Sequence, residues 1–163
     1  MDVDGTMTDG TIYISSKEEV MKGFDVKDGY GIKNILPGLG IIPVIISARD
    51  SDIVRVRAKE LNVSEVYLGV SDKLQIMEAI MEKHDLKYKN VAYIGDDLND
   101  LPLIESVGIS FAPFDSVEEV KKAANIVLKH CGGRGAIREC ISHLTLVNNS
   151  EEESIDFRNS PGV

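Results

Sequence analysis

Residues 40–61 read Gly-Ile-Ile-Pro-Val-Ile-Ile-Ser-Ala-Arg-Asp-Ser-Asp-Ile-Val-Arg-Val-Arg-Ala-Lys-Glu-Leu. The first eight form a β-branched apolar run after a turn signal, which predicts a buried strand over 40–47. From position 51 the apolar residues fall at helical spacing, with Ser51 or Asp50 placed to cap the first turn. The same alternation continues along the chain. It predicts strands over 65–68, 90–95, 108–112 and 125–128, with helices over 72–84, 98–107 and 117–124 between them. Strands alternating with helices give an α/β architecture, a doubly wound, Rossmann-like parallel sheet with helices on both faces.

One segment interrupts the alternation. Two extended runs, 11–15 and 20–26, flank the polar Ser-Lys-Glu-Glu of 16–19, which predicts an antiparallel hairpin. It is inserted between the first strand and the first helix, where open α/β sheets place their ligand sites, and so reads as a flap beside a pocket or an oligomer contact. The apolar period holds to about residue 147. Residues 148–163 are polar and acidic, so the expected division is a folded domain over 1–147 and a flexible tail over 148–163.

A chain of 163 residues makes one domain, large enough to bury roughly 70% of its unfolded surface without staples. Its 18 basic and 27 acidic residues give a net charge of −9, which disfavours general binding to nucleic acid or an anionic membrane surface. No run reaches the ~20 apolar residues of a membrane span. The chain opens with no basic and apolar leader, and its two cysteines, Cys131 and Cys140, require no oxidising compartment. A reduced, cytoplasmic protein is expected.

The chemistry-bearing residues lie at the ends of the predicted strands. Asp2 and Asp4, two apart on an extended segment, can face one pocket, and two close carboxylates repel unless a cation binds between them. A second acidic cluster, Asp96-Asp97-Leu98-Asn99-Asp100, follows the strand of 90–95. Asp97 has a plain alternative as a helix N-cap. Together the clusters line one sheet edge with hard oxygen donors, a set that favours Mg²⁺. Ser47 ends one strand and Lys73 begins one helix, where a hydroxyl and an ammonium can meet a phosphoryl group. The three histidines, His84, His130 and His143, show no metal-ligand spacing.

The ordered set of Asp2-x-Asp4-x-Thr6, Ser47, Lys73 and Gly95-Asp96-Asp97-x-x-Asp100 resembles the haloacid dehalogenase superfamily of phosphohydrolases over residues 2–146. The hairpin, Lys27-Asp28-Gly29-Tyr30-Gly31-Ile32 and Gly132-Gly133-Arg134-Gly135-Ala136 resemble the narrower group of 3-deoxy-D-manno-octulosonate 8-phosphate phosphatases and nonulosonate 9-phosphate phosphatases. The resemblance implies a fold without a large cap domain, Asp2 as nucleophile and Asp4 as general acid/base. It implies Mg²⁺ held by the side chains of Asp2 and Asp96 and the backbone carbonyl of Asp4. Ser47 and Lys73 would bind the phosphoryl group, with Asp97 and Asp100 in support. It further implies a phosphorylated sugar acid as substrate, a step of lipopolysaccharide biosynthesis, and a homotetramer whose neighbouring subunits close the pocket.

Arg49 suits a substrate carboxylate through its planar fork, a surface ion pair being the plain alternative. The resemblance favours the octulosonate branch, because the nonulosonate phosphatases tend to carry an acid there. Arg134, between glycines, is a second candidate for the substrate, and a glycine-rich helix entry is its alternative. Only Met1 precedes Asp2, where the family has several apolar residues in a central strand, so either the natural chain is longer or the first strand is a stub. An idle oligomerisation domain of the kind fused to cytidylyltransferases is a competing reading, against which stand the intact Asp2, Asp4, Lys73 and Asp96. A phosphoacceptor receiver domain also uses acids and a lysine, but in another order.

Overall fold

The structure is a computed structural model that describes residues 1–16 and 18–156. Alternation within each strand builds the core. In β3 (Val44–Ser47), Ile45 faces one side of the sheet and Ile46 the other. In β5 (Ala92–Ile94) and β6 (Ile109–Ala112) the same split separates Ile94 and Phe111 from Tyr93 and Ala112. Both faces are therefore buried, as a parallel sheet requires.

On the first face lie α1 (Val26–Tyr30) with the π-helical turn that continues it (Gly31–Ile35), α2 (Asp52–Glu60) and α6 (Ala136–Asp156), which bring Ile32, Val54, Ala58, Ile137 and Ile141 onto Ile45 and Phe111. On the second lie α3 (Lys73–His84), α4 (Leu101–Ser106) and α5 (Glu118–Ala123), contributing Met77, Ile80, Leu103, Ile104 and Val120.

β3 pairs in parallel with β4 (Glu65–Leu68), and β5, β6 and β7 (Ile126–Val127) form a second parallel group. The first residues of the chain fill the slot between the two groups. The Met1 nitrogen donates to the Val44 carbonyl (2.8 Å), the Ile46 N–H donates to the Met1 carbonyl (3.0 Å), and the Asp2 N–H donates to the Ile94 carbonyl (3.1 Å). Met1 and Asp2 thus join the sheet between β3 and β5, with Val3 fully buried behind them.

The hairpin is present, as β1 (Tyr13–Ile14) and β2 (Glu19–Met21), paired antiparallel with Tyr13 opposite Met21. Its second arm is shorter than the expected 20–26, because Asp25 accepts the Lys27 and Asp28 N–H groups and starts α1 instead. Strand β3 likewise begins only at Val44, after Pro43, which has no N–H for a ladder. The helix expected over 98–107 opens as a 3₁₀ turn, Leu98–Asp100, before α4. Helix α6 continues through Asp156, across the first nine residues of the segment expected to be a tail, and residues 157–163 lie outside the described residues. Among the described residues no helix is long and apolar enough to cross a membrane.

Candidate active site

The carboxyl edge of the sheet gathers side chains from across the chain. Asp2 leaves the centre of the sheet, and the chain then turns at Gly5, whose φ of +97° lies in the left-handed region. A Cβ at Gly5 would run into the Asp96 carboxylate, so only glycine lets these two loops meet. Thr6, fully buried, donates its hydroxyl to Asp96 Oδ1 (2.9 Å). Lys73, the first residue of α3, is buried and places Nζ 2.6 Å from Asp2 Oδ1 and 2.6 Å from Asp100 Oδ1.

Asp100 is saturated. Its Oδ1 also accepts the Tyr93 hydroxyl (2.6 Å), and its Oδ2 accepts the N–H groups of Asp96 (3.0 Å) and Asp97 (3.4 Å). It braces the lysine and the Asp96 loop. Asp2, Asp96 and Asp100 nevertheless lie close, with one oxygen of each within 4.8 Å of the others. Three acids face a single lysine.

Burial first, and the Asp2 charge next, push the Asp96 carboxyl up to about 8. Burial likewise raises Asp2 to about 6, against the pull of Lys73. The two carboxylates holding Lys73 outweigh its desolvation and keep its ammonium above its ordinary value. The Tyr93 phenol is driven well up by burial and by Asp100. A buried all-oxygen set with excess negative charge fits a hard divalent cation, which would remove the repulsion that raises Asp2 and Asp96. Asp2 and Asp96 are the side chains that suit it, since Asp100 is spent on four donors.

Ser47 ends β3, is buried, and accepts the Arg49 N–H on its hydroxyl (3.3 Å). Arg49 turns toward the other catalytic candidate, its Nε 3.4 Å from Asp4 Oδ2. Asp97 points out to solvent and accepts the Leu98 N–H (2.7 Å), so its position is that of the helix N-cap. Arg134 is also exposed and reaches Asp9 Oδ2 (3.2 Å) on the outer side of the Asp4–Thr8 turn. The glycines beside it explain their own presence: a Cβ on Gly132 would strike the Gly5 carbonyl, and the Gly133 N–H donates to the Thr6 carbonyl (3.0 Å).

Four participants escaped the sequence reading: Thr6 as an anchor of Asp96, Tyr93, and Lys22 and Glu19 from the hairpin. Tyr93 carried a signal, because a phenol in an otherwise apolar strand needs a buried acceptor. Lys22 carried none; a lysine on a hairpin arm reads as solvated. In the structure its side chain is fully buried and ion-paired with Asp4 and with Glu19 (2.8 Å).

The sequence profile of the haloacid dehalogenase-like hydrolases matches residues 43–138. The 3-deoxy-D-manno-octulosonate 8-phosphate phosphatase of Escherichia coli strain K12 is 39% identical over 154 residues, covering 94% of this chain and 81% of that protein. A crystal structure of the corresponding phosphatase from Moraxella catarrhalis, in complex with magnesium, phosphate and KDO, superposes with a TM-score of 0.88 at 34% identity, covering 98% of this chain and 91% of that one. The cobalt-bound deoxy-D-mannose-octulosonate 8-phosphate phosphatase of Haemophilus influenzae gives 0.87 at 37% identity, covering 91% and 86%.

Proposed function

The chain belongs to the haloacid dehalogenase-like hydrolases, and from that premise we propose that it is a Mg²⁺-dependent phosphatase of 3-deoxy-D-manno-octulosonate 8-phosphate. The observation that carries this reading is the meeting of Asp2, Asp96 and Lys73 at one buried point. The side chains of Asp2 and Asp96 and the backbone carbonyl of Asp4 would hold the ion, which supplies neutralisation of phosphoryl charge.

Asp2 attacks phosphorus in line, and the bond from phosphorus to the sugar oxygen breaks. Asp4 gives its proton to that departing oxygen. Water then attacks the aspartyl phosphate, Asp4 takes the water's proton, and inorganic phosphate leaves with Asp2 restored. Lys73 and Ser47 hold the phosphoryl oxygens throughout. Asp100 and Tyr93 keep Lys73 in place, and Asp97 supports the site from outside as the cap of the following turn. Arg49, half exposed beside Asp4, takes the sugar carboxylate, and Arg134 serves the substrate from the rim.

A homotetramer goes with this reading. The hairpin and α1 expose Tyr13, Ile14, Val20, Met21, Val26 and Tyr30, an apolar surface that subunit contact would cover. The proposed compartment is the cytoplasm, in keeping with two free cysteines and a net charge that suits neither nucleic acid nor an anionic membrane.

Phosphate release from a panel of sugar-acid phosphates, with and without Mg²⁺, tests the proposal. The expected result is Mg²⁺-dependent turnover of the eight-carbon substrate, abolished in Asp2→Asn, with sedimentation at four subunits. Faster turnover of a nonulosonate 9-phosphate would move the substrate to that branch. No release from any of them would leave an idle oligomerisation domain.

A further inference from the structure

Within one chain the hairpin has little apolar packing to hold it. Ile14, Val20 and Met21 are more than half exposed, and no cluster of the core includes a residue of either strand. What ties β2 to the body is polar. Lys22, just past the strand, contacts Asp4 Oδ1 with its ammonium, and Glu19 reaches the same ammonium through Oε1 (2.8 Å). Glu19 Oε2 accepts the hydroxyl of Ser51, the buried N-cap of α2. Arg49 Nε lies 3.4 Å from the other Asp4 oxygen.

Asp4 is therefore held at both oxygens, on one side by a buried cation that the hairpin delivers. A lysine with a fully buried side chain, clasped by two acids, is not open to a substrate, whereas the half-exposed Arg49 is. Two links, one to the catalytic turn and one to the start of α2, close the hairpin down.

We propose that Lys22 is a positioning residue that fixes the Asp4 carboxyl toward the leaving oxygen, and that Lys22 and Glu19 together latch the hairpin over the site. The inference rests on the proton-transfer role proposed for Asp4. Its consequence for the first half-reaction is specific to the leaving group, because only an ester with a poor leaving oxygen needs a well-aimed proton there.

The test compares two esters, an alkyl sugar phosphate and p-nitrophenyl phosphate, in Lys22→Met, Glu19→Gln and Asp4→Asn. Lys22→Met should cut kcat/KM, which reports the first half-reaction alone, about 100-fold on the alkyl ester while p-nitrophenyl phosphate loses no more than about threefold, a split expected of a misaimed acid. With sedimentation showing the same subunit number in each protein, hydrogen exchange of metal-free Lys22→Met and Glu19→Gln should quicken at the amides of Tyr13, Ile14 and 19–21, with the rest of the sheet unchanged. Equal losses of kcat/KM on both esters in Lys22→Met, or unchanged hairpin exchange in both variants, would overturn the proposal. Equal losses of kcat/KM on both esters in Asp4→Asn would overturn the transfer of a proton to the leaving oxygen and this inference with it. Asp4→Asn selective for the alkyl ester beside an unselective Lys22→Met would overturn the positioning alone.

Discussion

Tyr93 shows how much a single buried group carries. Its hydroxyl donates to the same Asp100 oxygen that accepts Lys73, in a place without water contact. Tyr93→Phe leaves the ring packing intact and removes one donor from a buried acid, so unfolding free energy should fall by about 1–3 kcal/mol in urea denaturation. Phosphatase activity should fall with it, because Lys73 loses the brace on its partner. The pH dependence of the acids is a second consequence at this scale. Asp2 and Asp96 have folded-state values near 6 and 8 against 3.8 unfolded, so between these limits the folded chain binds more protons than the unfolded one. Stability of the metal-free protein should therefore fall as pH rises from about 4 toward 8. A divalent ion needs the deprotonated carboxylates, so the rise in Tm on adding Mg²⁺ should be larger at pH 8 than at pH 6. Thermal denaturation with and without Mg²⁺ at the two values checks both signs. Of these groups Asp2, Asp4, Lys73, Asp96 and Asp100 were legible from their order in the chain. Thr6 stood in the motif without a role, and Tyr93 and Lys22 were not singled out, because what these three do comes from approach in space between segments up to 90 residues apart.

At the scale of elements, two sequence signatures prove to be one structural joint. Asp28, in α1, is buried, and its carboxylate accepts the N–H groups of Gly135 (3.3 Å) and Arg138 (2.7 Å) at the start of α6. The Lys27–Ile32 stretch and the glycine-rich 132–136 stretch thus meet, and the latter packs its glycine backbones on the Asp4–Thr8 turn. Asp28→Ala should lower stability by about 1–2 kcal/mol and speed hydrogen exchange at the first amides of α6. Unchanged exchange there would remove the joint from the account. Sequence periodicity located every strand of the parallel sheet and the helices between them, since burial on both faces leaves unbroken apolar runs. It overran at ends where chemistry stops an element: Pro43 before β3, and Asp25 capping α1 at the cost of the second hairpin arm. It could not foresee how far α6 runs, because residues 148–156 are helical in backbone while their composition is that of a solvated segment.

For the whole molecule, topology does the gathering. Parallel strands all end at one edge, so the segments after β4 and β5 bring Lys73 and Asp96 to Asp2, and the end of β3 sets Ser47 on the same edge, although 94 positions separate Asp2 from Asp96. That edge carries a local excess of acid on a chain already at −9, a burden that a bound cation turns into a site for a phosphorylated acid. Calorimetric titration of Mg²⁺ into the folded protein and into Asp96→Asn, at pH 8, tests this most directly. One ion per chain should bind the first, and binding should be lost in the second with its circular dichroism unchanged. Equal affinity for Mg²⁺ in both proteins would contradict a shared ion between Asp2 and Asp96.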